Sequence, residues 1–346
     1  MEREVYTASA NSNIALVKYW GKKEDNLPLN SSVSMTLDRN VSTATSIVFS
    51  KKFNNDKIYI NGFEVQNLSE NKKSHKLFEI LDQMKKLAGT SSNAIVVSKN
   101  NFPTSAGMAS SASGAAALVY AANAALELNL SSKELSIFAR KISGSGSRSM
   151  FGGFVIWHAS DKSEESYAEP ICGENHWPGI VDLIALISSG EKKISSRQGH
   201  VITTNTSSLY SLRPRIAEEH VNKAIHFIIN RDAHGLFDLI MRESNNMHAV
   251  MLDSFPPIHY INDLSWLVIE KVQEVNSSYG KNISAYTLDA GPNVHIITED
   301  RYLSEIKKAV REAVPSISFI EAHAGGAPIL LDKDESLISE DILKGV

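Results

Sequence analysis

The segment from Phe102 to Leu126 contains no charged side chain, and it constrains the fold more than any other part of the sequence. It is long enough to cross a lipid bilayer as a helix. Its composition argues against a membrane span, because Ser, Gly, Ala and Asn dominate and few residues are large and apolar. We therefore predict a helix of small residues that packs closely inside a soluble core.

Length and charge narrow the remaining possibilities. The 346 residues exceed one compact core of ordinary size, which predicts two domains, at residues 1–187 and 188–346. The net charge of -4 provides no overall basic field for nucleic acid or for an anionic membrane. No apolar run follows the charged N-terminus, so we expect no secretory signal and a cytoplasmic protein. The single cysteine, Cys172, excludes an intramolecular disulfide, and with only His176 nearby it does not form a zinc site.

Residue periodicity predicts the secondary structure. Before residue 190 we expect strand material at 4–20 that enters a loop, strands at 33–49, 57–60, 93–98, 151–158 and 181–188, and helices at 74–88, 107–128 and 135–142. Ser131 and Glu134 have capping-box spacing ahead of the last of these helices. After residue 190 we expect helices at 214–248, 260–277 and 303–314, strands at 283–288, 294–298, 317–320 and 328–331, and a charged tail that frays.

The first candidate site is the glycine- and serine-rich segment Pro103–Gly114, which follows a predicted strand and opens the small-residue helix. The N-terminus of a helix exposes unpaired N–H groups and partial positive charge, so it binds phosphate readily. Ser110 and Ser111 would add hydroxyl donors. Composition alone is equally compatible with the capped start of a core helix, but the strand–loop–helix context favours phosphate binding. The segment does not match the Walker A pattern.

A second glycine-rich segment, Ser143–Gly153, carries Arg148. A predicted helix precedes it and a strand follows, which is the reverse of the order in a dinucleotide-binding turn. We therefore reject NAD binding. The arginine suits the capture of a carboxylate or phosphate, although a solvated arginine on a surface turn is also compatible with this segment alone.

Three further segments carry charged side chains at places where the chain turns. Lys18 follows an apolar stretch and precedes Tyr19 and Trp20, Asp289 ends a predicted strand ahead of a Gly-Pro pair, and a basic cluster occupies 192–197. Lys18 and the basic cluster could belong to an anion site, and Asp289 could be a carboxylate directed into a cleft. Each also has an ordinary alternative, namely a lysine that extends to solvent, a turn-forming aspartate and a solvated charge run.

Taken together, these segments resemble the diphosphomevalonate decarboxylases of the GHMP kinase superfamily. Five strings match, in the family's order: Asn11–Lys22, Asn101–Gly114, Ser143–Gly153, Ser195–Arg197 with Gly199, and Tyr286–Asn293. The Tyr-Trp-Gly-Lys and Asp-Ala-Gly-Pro-Asn strings separate this family from its kinase relatives. The resemblance implies an α+β, two-domain GHMP kinase fold, with an N-terminal domain like ribosomal protein S5 domain 2 and a ferredoxin-like C-terminal α/β sandwich.

The resemblance also implies a reaction. In this family ATP phosphorylates the tertiary 3-hydroxyl of (R)-mevalonate 5-diphosphate, and loss of that phosphate with CO2 gives isopentenyl diphosphate. ATP and Mg2+ would be the cofactors, and phosphorylated mevalonate the small-molecule substrate. The implied protein is a cytoplasmic homodimer that binds neither nucleic acid nor membrane.

The matched residues acquire implied roles. Asp289 would orient or deprotonate the 3-hydroxyl, Arg148 would hold the substrate carboxylate, and Lys18 would lie near Asp289. Substrate binding is implied for Tyr19, Trp20, Gly21, Lys22, Lys73, Ser143, Ser145, Ser196 and Arg197. Binding of the ATP phosphates is implied for Pro103, Ser105, Gly107, Ala109, Ser110 and Ser111.

Two departures from the family pattern leave alternatives open. Ser147 stands where the family usually has cysteine, so no thiol is expected in the site. Lys72 and Lys73 stand where an arginine is common, and lysine lacks the bidentate guanidinium fork. The substrate could therefore be mevalonate 5-diphosphate or the 5-phosphate. A small-molecule kinase that does not decarboxylate, and a nucleotide-binding module without catalysis, remain the rival functions.

Overall fold

The computed structural model describes residues 4–67, 72–103, 110–187, 194–340 and 342. The strands are β1 (Tyr6–Asn11), β2 (Asn13–Val17), β3 (Ser32–Thr36), β4 (Ser42–Ser50), β5 (Lys57–Ile60), β6 (Phe63–Glu64), β7 (Asn93–Asn100), β8 (Phe154–Trp157), β9 (Ala168–Cys172), β10 (Ile180–Leu186), β11 (Ser284–Thr287), β12 (Val294–Glu299), β13 (Ser318–His323) and β14 (Ile329–Leu330). The α-helices are α1 (Lys72–Leu87), α2 (Ser110–Ala125), α3 (Ser132–Ile142), α4 (Ser196–Thr206), α5 (Arg213–Asn230), α6 (Ala233–Leu252), α7 (Asp263–Ser278) and α8 (Leu303–Ala313).

The first sheet has the strand order β14-β1-β4-β7-β5-β6, and only the β5–β7 pair is parallel. The small-residue helix α2 packs on it, and Ala116, Ala117 and Ala121 are fully buried. Small side chains let the helix approach closely enough for the Ser113 hydroxyl to hydrogen-bond Thr43 of β4 at 2.6 Å. The predicted core helix is thus confirmed over its described residues. No helix in the described part of the chain is long and apolar enough to cross a membrane.

A second sheet, with the order β11-β12-β10-β13, is antiparallel throughout. Helices α7 and α8 cover one face, where Val268 and Val310 pack with Leu183. Helices α5 and α6 cover the other face, where Ile240 packs with Ile184. Strand β10 precedes residue 187 in sequence, and β14 returns to pair with β1 of the first sheet. The domain division at residue 187 stays a prediction.

The third sheet, β2-β3-β8-β9, lies against α5 and α6. Leu16 of β2 and Met35 of β3 share a buried cluster with Val221 of α5 and Ile240 of α6. This packing brings the end of β2 close to α6, which also contacts β11. Residues from the beginning and the end of the chain therefore meet at one place.

Several predicted boundaries are wrong for identifiable reasons. The strand predicted at 33–49 is two strands, because a short 3-10 helix at Arg39–Val41 intervenes and the Asp38 side chain caps it. The helix predicted at 214–248 is two helices, separated by Arg231 in a left-handed conformation with φ 52. The capping box of Ser131 and Glu134 is confirmed at the start of α3. Strand β9 and helix α4 were not predicted.

Candidate active site

Lys18 and Asp289 form an ion pair where the ends of β2 and β11 meet. Lys18 follows β2 directly and Asp289 lies just beyond β11, and Nζ and Oδ1 are 2.7 Å apart. The lysine side chain is 1% exposed and the aspartate side chain 30%, so only the carboxylate of this pair is accessible to solvent or substrate. Burial favours the neutral acid, but the charges of Lys18, His295 and Arg148, together with the hydrogen bond from Lys18, outweigh it and hold the pKa of Asp289 below its usual range. Burial also lowers the pKa of Lys18.

Arg148 is a buried cation beside this pair. It lies in a 3-10 helix, Gly144–Met150, that follows α3, and it is 3% exposed. Its guanidinium donates to Asn13 Oδ1 at 3.1 and 3.2 Å and to Ser32 Oγ at 2.7 Å. Burial lowers the pKa of Arg148 to about 10 and the charge of Asp289 opposes this. The alternative of a solvated surface arginine is therefore excluded. The guanidinium also keeps N–H groups that can donate to an anion.

The strip Tyr19-Trp20-Gly21 is held by a residue that sequence reasoning missed, His200 of α4. The His200 ring stacks on Trp20 at 4.2 Å between centroids and lies 4.6 Å from the Tyr19 ring. Its Nδ1 accepts from Gly21 N–H at 2.7 Å. Gly21 has φ +94, and a Cβ there would lie 1.6 Å from Tyr210 Oη, so only glycine fits.

Lys22 and Arg197 form a second cationic region near the Tyr19 ring. Burial lowers the pKa of Lys22 to about 8, with repulsion from Arg197 acting in the same direction. Lys22 Nζ donates to Asn26 Oδ1 at 2.8 Å, and Arg197 Nη2 donates to Ile142 O at 2.8 Å. Two partly buried cations that repel each other are a favourable place for an anion.

The serines of the two glycine-rich segments also meet. Ser111 Oγ, in the first turn of α2, lies 3.1 Å from Ser143 Oγ, at the end of α3. Ser145 O accepts from Asn13 Nδ2 at 3.2 Å. A Cβ on Gly144 would lie 2.8 Å from the Tyr19 ring, so the glycine allows the close approach. The helix start predicted to bind phosphate thus adjoins the loop that carries Arg148.

Other predicted site residues are placed less centrally. Ser196 and Pro103 are exposed, and Trp20 is buried in an apolar cluster with Met247. Ser105, Gly107, Ala109 and the side chain of Lys73 lie outside the described residues. Ser147, at the family's cysteine position, is buried and donates to Gly144 O at 2.9 Å.

The sequence matches two families of known function along most of its length. Residues 10–168 match the family described as "Diphosphomevalonate decarboxylase-like N-terminal domain", and residues 182–343 match "Mevalonate 5-diphosphate decarboxylase C-terminal domain". The chain belongs to the diphosphomevalonate decarboxylase family. It is 38% identical over 330 residues to the diphosphomevalonate decarboxylase of Debaryomyces hansenii, covering 91% of this chain and 85% of that protein. The enzyme of Homo sapiens is 37% identical over 325 residues, covering 89% and 80%.

Solved structures of the family agree with the fold. MDDEF in complex with MVAPP, AMPPCP and magnesium matches with a TM-score of 0.85 and 37% identity, covering 95% of this chain and 99% of that one. The mevalonate diphosphate decarboxylase from Staphylococcus aureus matches with a TM-score of 0.87 and 33% identity, covering 95% and 98%. The predicted α+β, two-domain GHMP kinase fold is confirmed.

Proposed function

We propose that this chain catalyses the ATP-dependent decarboxylation of (R)-mevalonate 5-diphosphate to isopentenyl diphosphate, ADP, phosphate and CO2. The observation that carries the proposal is the Lys18–Asp289 pair at 2.7 Å beside buried Arg148, in a chain of the diphosphomevalonate decarboxylase family. A site that converts a carboxylated tertiary alcohol needs a carboxylate for the hydroxyl and a cation for the substrate acid. Here both lie together.

Asp289 accepts the hydrogen bond of the substrate 3-hydroxyl and orients it for attack on the γ-phosphate of ATP. A tertiary alcohol is a poor nucleophile, and a carboxylate within hydrogen-bond reach assists it. Lys18 keeps Asp289 ionised, since its charge holds the pKa of that carboxyl low. As the 3-phosphate leaves and positive charge develops at the 3-carbon, the same carboxylate stabilises it.

Arg148 holds the substrate carboxylate with the donors that Asn13 and Ser32 leave unused. A planar guanidinium fork matches a carboxylate and fixes its direction. This orients the bond that breaks when CO2 departs. Asn13 and Ser32 orient the guanidinium in turn.

The substrate diphosphate is bound by the region of Lys22 and Arg197. Their partial burial makes each cation costly alone, and an anion between them removes the repulsion. Tyr19 supplies a hydroxyl, and Trp20 and Gly21 fix the strip that carries it. The other residues proposed to bind the substrate are Lys73, Ser143, Ser145 and Ser196.

The ATP phosphates lie at the start of α2. Ser110 and Ser111 are in its first described turn, where helix N–H groups point outward. Pro103, Ser105, Gly107 and Ala109 complete the predicted loop. Among the described residues, no group of three or more His, Cys, Asp or Glu side chains is arranged to hold a metal ion. Bound Mg2+ neutralises charge on the transferring phosphoryl group.

One assay tests the function. The purified chain is supplied with ATP, Mg2+ and either mevalonate 5-diphosphate or mevalonate 5-phosphate, and ADP and CO2 are measured in parallel. Equal amounts of ADP and CO2 from the 5-diphosphate support the proposal. ADP without CO2 identifies a kinase, ATP binding without turnover identifies an inactive module, and preference for the 5-phosphate corrects the substrate.

Location and assembly are part of the same proposal. We infer a homodimer in the cytoplasm, as the resemblance implies. Light scattering on the eluting peak of the purified chain gives its mass, and a mass matching one chain would contradict the dimer. Microscopy of the tagged protein in its own cells tests the location.

A further inference from the structure

Two successive residues of α6 contact the two sides of the Lys18–Asp289 pair. Glu243 Oε2 accepts the backbone N–H of Lys18 at 3.0 Å. Ser244 Oγ accepts the backbone N–H of Leu288, the residue before Asp289, at 3.1 Å. One rigid helix therefore reaches both the end of β2 and the end of β11.

The carbonyl of Lys18 is held as well. Arg213 Nη2 donates to it at 2.9 Å and Asn30 Nδ2 at 3.0 Å. Arg213 also donates to both carboxylate oxygens of Glu243, at 2.7 and 3.0 Å. The ion pair between α5 and α6 thus hydrogen-bonds both the backbone N–H and the backbone carbonyl of Lys18.

This ion pair is fully buried, since Arg213 and Glu243 are both 0% exposed. Burying two charges costs desolvation energy that their attraction seldom repays, so such a pair is weak evidence for a role in stability alone. Burial favours the neutral form of Glu243, but the His220 hydrogen bond and Arg213 hold its pKa below the usual range. Glu243 therefore remains a charged acceptor for Lys18.

We propose that Glu243 and Ser244, together with Arg213, are positioning residues that fix the separation of Lys18 and Asp289. The inference rests on the proposed function, in which that separation sets the alignment of the carboxylate with the substrate hydroxyl. None of the three needs to touch the substrate. A displacement of about 1 Å in a reacting group can lower a rate about 100-fold. The loss of either hydrogen bond from α6 should therefore lower kcat.

The test compares Ser244→Ala with a matched control, Ser136→Ala. Ser136 is a fully buried serine of α3 whose Oγ accepts a strand N–H, that of Ala168, at 2.9 Å. Each variant removes one hydrogen bond of the same kind, so their melting temperatures should fall by similar amounts. We expect Ser244→Ala to lower kcat about tenfold to 100-fold, with KM for ATP and mevalonate 5-diphosphate unchanged. Ser136→Ala should keep native kcat.

The pH profile supplies a second readout. Asp289 faces Lys18 from β2, Arg148 from the 3-10 helix, His295 from β12 and His248 from α6. A larger separation of Lys18 and Asp289 weakens the attraction that keeps Asp289 ionised, so the pKa of that carboxyl rises and the acid limb of kcat moves to higher pH. Ser244→Ala should show this shift, whereas Ser136→Ala should not.

The outcomes separate this inference from the function itself. If Ser244→Ala and Ser136→Ala have equal kcat and equal acid limbs, the α6 residues are structural only and the inference is overturned. If the native chain releases no CO2, the proposed function fails. In that case NMR titration of the Asp289 carboxyl decides, because only Ser244→Ala should raise its pKa if α6 sets the separation.

Discussion

Two cationic regions of the site differ in how their charges are balanced. Lys18 already has a carboxylate partner at 2.7 Å, and its backbone is held by Glu243 and Arg213. Lys22 and Arg197 instead repel one another and bind neutral oxygens of Asn26 and Ile142. The first region is thus organised before substrate arrives, and an anionic ligand should stabilise the second. Substitutions in the first should lower kcat, and those in the second should raise KM.

The largest effect is expected for Asp289→Asn. The amide keeps the shape but cannot accept the proton of the 3-hydroxyl or stabilise positive charge, so kcat should fall about 1,000-fold or more. ATP binding, measured by calorimetry, should change little, because the proposed phosphate site lies at α2. Turnover near the native rate would show that Asp289 has no part in the chemistry.

Arg148→Lys tests the buried cation. Lysine keeps the charge but loses the planar fork, so kcat/KM for the carboxylated substrate should fall about 100-fold. Nucleotide affinity serves as the internal control and should stay constant. A kcat/KM within about threefold of native would mean that Arg148 serves only Asn13 and Ser32.

Lys22 gives a smaller, pH-dependent effect. Its pKa is lowered to about 8, and only the charged form binds the diphosphate, so kcat/KM should fall as pH rises through about 8. Lys22→Arg should abolish that basic limb, because arginine stays charged. Lys22→Met should raise KM about tenfold.

The neighbouring residue provides the control for Lys22. Lys23 is half-exposed and pairs with Asp161 at the surface, so Lys23→Met should leave KM and the pH profile as in the native chain. If Lys22→Met and Lys23→Met raise KM equally, KM depends only on the net charge of the protein, and the distinction between the two regions fails.

A final prediction concerns stability, not catalysis, at His200. Burial lowers the pKa of His200 to about 3, against about 6.5 in the unfolded chain. The unfolded state therefore binds more protons below pH 6.5, and the stability from neutral His200 is lost as pH falls, by up to about 1.4 kcal/mol per pH unit. Urea titrations of His200→Gln should show a shallower decline than the exposed control His259→Gln.

The sequence predicted the central residues but not what holds them. Lys18 and Asp289 are 271 residues apart, and their pairing could be anticipated only because both stand in recognisable strings. Arg213 and Glu243 carry no local signal, since an arginine and a glutamate 30 residues apart are unremarkable until the α5–α6 hairpin brings them together. Their role depends on tertiary packing, which cannot be predicted from the periodicity of apolar residues.

Local signals were also overlooked. Helix α4 begins with a capping box of Ser195 and Gln198, but its Gly, His, Thr and Asn residues have low helix propensity and its start was interpreted as part of a basic cluster. That error concealed His200. The break after β3 was signalled by Asp38, a residue that caps short turns, within a run of strand-forming residues.

The pairing of β14 with β1 bears on how the chain is made. Ala8 lies opposite Leu330, so the edge of the first sheet is covered by residues that the ribosome adds long after β1. Domains synthesised early generally fold first. Here the early sheet remains open along β1 until β14 has been synthesised. The nascent protein therefore exposes an unpaired strand edge until that point, and a pause or premature stop before residue 329 leaves that edge available for aggregation.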